Sequence, residues 1–467
     1  MKKSLAKSED TPAPDRPRRA SLDRDWTKGS VTRNLWALSW PTLVSSTLMM
    51  LGPTIDMIWV GRLGAAAIGG VGVGGMAVMM VDTMRMGLLA GLRAMVARNV
   101  GAGDKQTANH AANQAFVLVS VFSILTAIVG ISFAESLLKL LGLAPDIVAQ
   151  GSIYLKIQFI GSIAMSFRMV VDAIMQASGD SMTPMKIAVF FRILHVILCP
   201  FLVFGWWVFP RLEVTGAAVT SVISQSFGMI IGLWLLFAGH SRLKPTLTGF
   251  RLDLRTIGTM VKIGVPSAVM GIQFNLGQFV LMALIAPFGT LAVAAHVIGQ
   301  RVEGVVAMPA WGMGMAAGVL VGQNLGARQP ERAQQSGWYG ATIVQGFMLV
   351  CSAALLFFAE RVVAVFNPDP ALMDMGSAFL RIASVSYLVM GGSAIFSQCI
   401  AGAGETVWPM LIGIIAVWVI QLPLAYYLSH TGLGVYGIRW AIVAGMVVTA
   451  VIYVVYFQRG SWKTKRV

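Results

Sequence analysis

Four carboxylates, Asp56, Asp82, Asp172 and Glu303, stand inside long apolar runs. A charge at the centre of a bilayer costs about 2.5–3.5 kcal/mol on insertion scales, so such a group is paired, faces a wet cavity, or exchanges an ion. Helical spacing sorts the four. Asp82 lies three residues before Arg85 and on the face of Arg93, while Arg168 lies four before Asp172. Both spacings permit ion pairing within one helix. Asp56 has no basic partner in its own run, because Arg62 lies beyond the end. It shares a face with Thr42, Ser45, Met49 and Gly52, opposite Leu, Val, Ile and Trp. That face is expected to line a wet central cavity with Asp56 as its chemical centre. Arg192, His195 and Cys199 share a second face, and His296, Gln300, Glu303 and Ala307 a third.

The elements that must carry these residues are membrane helices. Of the 467 residues, 56% are hydrophobic and 12% charged, where a soluble domain holds about 25% charged residues. Apolar runs of about 20 residues recur, and the short alternating strands of a membrane barrel are missing. Twelve spans are expected near 35–60, 66–95, 114–134, 154–177, 186–209, 216–238, 257–286, 291–320, 339–359, 379–401, 409–429 and 436–457. The net charge of +15 would suggest nucleic acid on a soluble protein. Here the basic residues gather in alternate loops and at both termini, which sets orientation and places both termini in the cytoplasm of a multi-pass protein of the inner (plasma) membrane. No nucleic-acid partner is expected. Cys199, Cys351 and Cys399 lack metal-ligand spacing and read as buried thiols.

The chain also repeats itself. A shift of 225 residues aligns Pro41 with Pro266, Gly64 with Gly289, Gly87 with Gly312, and Asn99-Val-Gly-Ala with Asn324-Leu-Gly-Ala. It likewise aligns Gly151-Ser-Ile-Tyr-Leu-Lys with Gly376-Ser-Ala-Phe-Leu-Arg, and GDSMTPM with GETVWPM. Each copy holds six spans, so the halves are parallel repeats about an axis along the membrane normal. The expected organisation is an all-α protein with a cytoplasmic N-terminal tail (1–33), an N-lobe (34–238), a cytoplasmic linker (239–256), a C-lobe (257–458) and a cytoplasmic C-terminal tail (459–467). Two such bundles with polar groups at mid-depth form an alternating-access transporter architecture.

The repeat separates scaffold from chemistry. Asp56 is matched by Leu281, Asp82 by Ala307 and Asp172 by Ser397, while Glu303 is matched by Val78. The unmatched N-half acids Asp56, Asp82 and Asp172 are the expected ion-coupling residues. Arg192, His195 and Glu303 are candidate contacts for cargo. Either H⁺ or Na⁺ would serve as the coupling ion, and in the sodium case Asp56 would be the metal ligand, with Asp172, Ser45, Thr42 and carbonyls near Pro53 as further donors. The glycine-rich runs at 61–75 and 101–104 lack the GK[ST] ending of a phosphate loop and read as close packing and turns. No nucleophile elbow, zinc spacing or cofactor motif is present, which argues against an enzyme. A channel is the other reading, and it would pass ions without saturable exchange.

These residues resemble the multidrug and toxic compound extrusion (MATE) transporters over nearly all of 35–460. The likeness lies in the first-span proline followed by Asp56 and VGRLG, then VARNVGAGDKQTA, QASGDSMTPM, MPAWGMGMAAGVLVGQNLGA and AGAGETVWPM. It implies a V-shaped pair of six-helix lobes around a central cavity; the chain is separately expected to act as a monomer. It also implies export of small organic, usually cationic, compounds in exchange for Na⁺ or H⁺, with Asp56 at the family's ion-coupling position. Organic anions or zwitterions, or lipid-linked saccharides, are alternative cargoes. The chain departs from the family in three places. His195 and Cys199 occupy the fifth span, Gln273-Phe274-Asn275 stands where one branch has Glu, and no acid lies between Tyr387 and Cys399. Gln273 and Asn275 thereby become candidate cargo contacts.

Overall fold

The computed structural model describes residues 24–140, 142–246 and 250–465. Among these are twelve helices long and apolar enough to cross a membrane. In chain order they are α1 (Val31–Val60), α2 (Ala65–Gly101), α3 (Lys105–Leu140), α4 (Pro145–Ala177), α5 (Met182–Phe204), α6 (Glu213–Phe237), α7 (Leu254–Ile285), α8 (Thr290–Gly326), α9 (Pro330–Phe366), α10 (Pro370–Gly402), α11 (Val407–Ser429) and α12 (Gly434–Arg459). Several outrun the spans expected from hydropathy. α3 has 36 residues and begins at Lys105 rather than near 114. At 1.5 Å per residue such a helix is roughly 54 Å long, well beyond a hydrocarbon core of about 30 Å, so its polar end projects past the membrane. An apolar window senses only the buried part.

Local sequence explains the helix ends. Ser30 caps α1, Asp253 caps α7 and Asp369 caps α10, each accepting from a backbone N–H of the first turn. Proline opens α4, α9 and α10, where its missing N–H is harmless. Short 3₁₀ turns at Gly61–Leu63 and Ala286–Phe288 lead into Gly64 and Gly289, whose φ of 118° and 96° a side chain would oppose.

The repeat is visible in these bounds. The limits of α2 and α8, of α4 and α10, and of α5 and α11 each differ by the same 225 residues. The copies part company inside α11, where Ile415–Gln421 widens into π-helical turns. Across the halves α1 packs on α8 and α2 on α7. The seam is two-fold in character. Gln323 Nε2 donates to Ala177 O (2.8 Å), and Arg98 Nη1 donates to Ala403 O (3.3 Å). Gly101 faces the backbone of Gln323 and Gly326 that of Arg98, so closely that a methyl group at either would collide. These contacts lie on the side that carries both termini. Among the described residues, hydrogen bonds between the halves continue up to Thr47–Met308 near the middle of α1 and go no further.

Of the expected N-terminal tail, residues 1–23 lie outside the described residues. The part that follows is packed: Trp26 is buried, and the Asn34 amide donates to the carbonyls of Trp26 (3.1 Å) and Lys28 (2.9 Å). In the linker region, Asn113 and Gln114 of α3 donate to Thr246 O and Arg251 O. The Asp253 carboxylate there is held below the usual carboxylate range, chiefly by the Thr256 hydroxyl and backbone N–H and then by His110.

Candidate functional site

Asp56 sits one turn before the end of α1 and is 3% exposed. Its partner comes from α5: His195 Nε2 lies 2.8 Å from Asp56 Oδ1. The other ring nitrogen, His195 Nδ1, lies 3.1 Å from Arg192 Nη1. The shared face of α5 continues with Cys199, whose sulfur is 3.8 Å from the same Asp56 oxygen. Spacing of three and four along α5 stacks these groups against α1. The result is a chain of guanidinium, imidazole and carboxylate within the N-terminal half.

This placement corrects the first expectation for α1. Gly52 and Asp56 are turned toward α5, inside the N-half, rather than toward a wet space between the halves. Periodicity had shown a polar, small face; it could not show that Arg192 and His195 would fill it. Lower on the same helix, Thr42 does line a cavity of about 50 Å³ at the seam, together with Arg93, Gln176, Ser181 and Gln398.

The oxygen set expected for sodium is not assembled. Thr42 and Ser45 turn their hydroxyls back onto the carbonyls of Leu38 and Pro41. They also stand 14 and 11 residues before Asp56, roughly 16–21 Å along the helix. Asp172 is engaged by Arg168 on its own helix. Around Asp56 one carboxylate oxygen, one imidazole nitrogen and one sulfur lie within 4.8 Å of one another. Hard alkali and alkaline-earth ions prefer oxygen donors, and this mixed set with a guanidinium behind it suits them poorly.

The two other N-half acids are paired as their spacing predicts. Asp82 binds Arg85, and Asp172 binds Arg168, whose Nε also donates to Gln225 Oε1 (2.6 Å). Arg93, on the same helix face as Asp82, lies within electrostatic reach of Asp172 on α4. In the C-half, Glu303 of α8 pairs with Arg439 of α12, and Arg439 Nη1 lies 3.2 Å from His296 Nδ1. Arg439 escaped the sequence reading, although it stands alone in the apolar run of the last span, which is itself a signal. Gln300 donates to Gln278 across α8 and α7 (2.9 Å). Gln273 is buried and accepts from Trp418 Nε1 (3.1 Å) in the π-helical part of α11, whereas Asn275 is half-buried on the same helix.

The MatE family pattern matches residues 41–201 and 266–427, one copy in each half. The chain belongs to the MatE family. MatE proteins are transporters, so this chain is a multi-pass membrane transporter and not an enzyme. It is 24% identical over 448 residues to a probable multidrug resistance protein, YoeA, of Bacillus subtilis, covering 94% of this chain and 96% of that one. It is 25% identical over 444 residues to a probable multidrug resistance protein, NorM, of Thermotoga maritima, covering 94% of each. A crystal structure of MATE in the bent conformation shares the fold, with a TM-score of 0.88 at 23% identity over 93% of this chain and 96% of that one.

Proposed function

We propose that this MatE chain exports small organic cations in exchange for protons, with Asp56 as the exchanging carboxylate. The observation that carries the reading is the buried Asp56–His195 pair, a carboxylate whose direct partner is an imidazole. A neutral imidazole can hydrogen-bond the carboxylate without setting a permanent positive charge against it, which leaves the carboxylate free to exchange a proton. Asp82 and Asp172 are tied to arginines and would tune the field around the pair. The descriptions of the Bacillus and Thermotoga relatives as probable multidrug resistance proteins support a drug-like cargo. The aggregate of basic residues on the terminus-bearing side supports cytoplasmic termini and a plasma-membrane location.

Exchange of one proton for one monovalent cation moves no net charge. A pH gradient, not the membrane potential, then sets the attainable cargo gradient. One pH unit corresponds to about 1.4 kcal/mol, or roughly a tenfold cargo gradient.

The test is dye efflux from proteoliposomes. An imposed pH gradient should drive uptake of an ethidium-like cation with the potential clamped at zero, and an imposed Na⁺ gradient should not. Transport driven by Na⁺ alone would overturn the proton assignment. Preferential transport of a citrate-like anion would overturn the cargo assignment.

A further inference from the structure

We infer that Arg192 is a positioning residue that locks His195 into one tautomer, and that Gly52 and Pro53 of α1 are what seat it. The inference rests on the reading of Asp56 as the exchanging carboxylate only for its effect on transport; the lock itself is a matter of geometry.

Pro53 leaves α1 one backbone donor short. In an α-helix the carbonyl of residue 49 bonds the N–H of residue 53, and Pro53 has none. The Met49 carbonyl is therefore left to find another donor inside the protein. Gly52, beside it, has no side chain, and a Cβ there would fall on the Arg192 guanidinium. Arg192 occupies the space these two residues create. Its Nη2 lies 3.4 Å from Met49 O, and its Nη1 lies 3.1 Å from His195 Nδ1.

A guanidinium has five N–H donors, no acceptor, and keeps its charge. His195 Nδ1 facing it must therefore be the bare, accepting nitrogen. The single ring proton then sits on Nε2, 2.8 Å from Asp56 Oδ1. A second proton on the ring would set one N–H against another. An incoming proton is thus directed to the carboxylate for as long as Arg192 holds its seat. Before uptake the Arg192–His195–Asp56 chain is neutral; after it the chain carries +1, which opposes a cationic cargo in the same half.

Other charged or titratable groups surround this chain. Cys199 touches Asp56 from α5, Tyr154 of α4 lies within electrostatic reach of Asp56, and Arg168 of α4 lies within reach of Arg192. Arg168 is itself neutralised by Asp172.

The experiment is ¹⁵N NMR of the full chain, labelled at histidine and held in lipid nanodiscs, with the His195 signal assigned by its loss in His195→Gln. In the unmodified protein that signal should show a bare Nδ1 and a protonated Nε2. In Arg192→Met the tautomer protonated at Nδ1 should appear beside it. Gly52→Ala, which displaces the guanidinium without removing it, should reproduce that mixture, and Arg192→Lys should suppress it. A His195 signal with a protonated Nδ1 in the unmodified protein, or one that Arg192→Met leaves untouched, overturns the lock. Transport separates this from the coupling role. Arg192→Met should move the pH profile of exchange, and Asp56→Asn should remove exchange at every pH. An intact lock in a protein whose Asp56→Asn variant still exchanges would sink the coupling reading alone.

Discussion

Each half of this transporter holds a carboxylate, a histidine and an arginine in contact, yet the two sets are wired in opposite order. In the N-half the chain runs Asp56, His195, Arg192 across α1 and α5. In the C-half it runs Glu303, Arg439, His296 across α8 and α12. The carboxylate's direct partner is an imidazole in the first case and a permanent cation in the second. On the proposed reading Asp56 takes up the exchanged proton while His195 keeps one, so the N-half chain changes its charge; Glu303 instead faces a guanidinium, whose charge is permanent. The positions are not related by the repeat either, since Asp56 is matched by Leu281 and Glu303 by Val78. A duplicated scaffold has thus received the same three residue types twice, and on the proposed reading their order makes one site a switch and the other a clasp.

Removing each carboxylate's charge separates the two halves most directly. Asp56→Asn should reduce proton-driven dye exchange to the protein-free background, while Glu303→Gln should reduce it less than about tenfold, a barrier change under about 1.4 kcal/mol. Equal losses in proteoliposomes would make the two halves functionally alike. Next in size is the stability of the clasp. Arg439→Met strands Glu303, whose side chain is only 23% exposed, and should lower unfolding stability by about 3–5 kcal/mol. Adding Glu303→Gln should restore most of that in the same denaturation series. The N-half counterpart is milder. His195→Leu removes the imidazole that hydrogen-bonds Asp56, and should cost about 1–3 kcal/mol. Smallest is Gln273→Leu, which removes the bond to Trp418 and should cost about 1 kcal/mol with exchange retained. A larger loss there would point to a role for the π-helical turns beyond packing.

Much of this could be read from the chain alone. Twelve apolar runs, the shift of 225 residues and the basic loops define the fold, because helices in a membrane must satisfy their own backbones. The Asp82–Arg85 and Arg168–Asp172 pairs followed from spacing on one helix. What spacing could not supply was contact between helices. Asp56 and His195 are 139 residues apart, and Glu303 and Arg439 are 136 apart. Periodicity told which residues share a face of α1 but not which neighbour that face would meet, and so the expected wet lining became a packed contact with α5. The sodium donors failed for the same reason: residues on one helical stripe can lie several turns apart.

Gly101 and Gly326 sit on opposite sides of the pseudo-dyad, each pressed on the strand of backbone that holds the other. A wedge inserted at either one pries apart both, so the molecule has in effect a single clasp point duplicated by symmetry. Chains bearing alanine at Gly101 or at Gly326 should therefore be trapped alike, parted on the terminus-bearing side, whatever becomes of the carboxylates above.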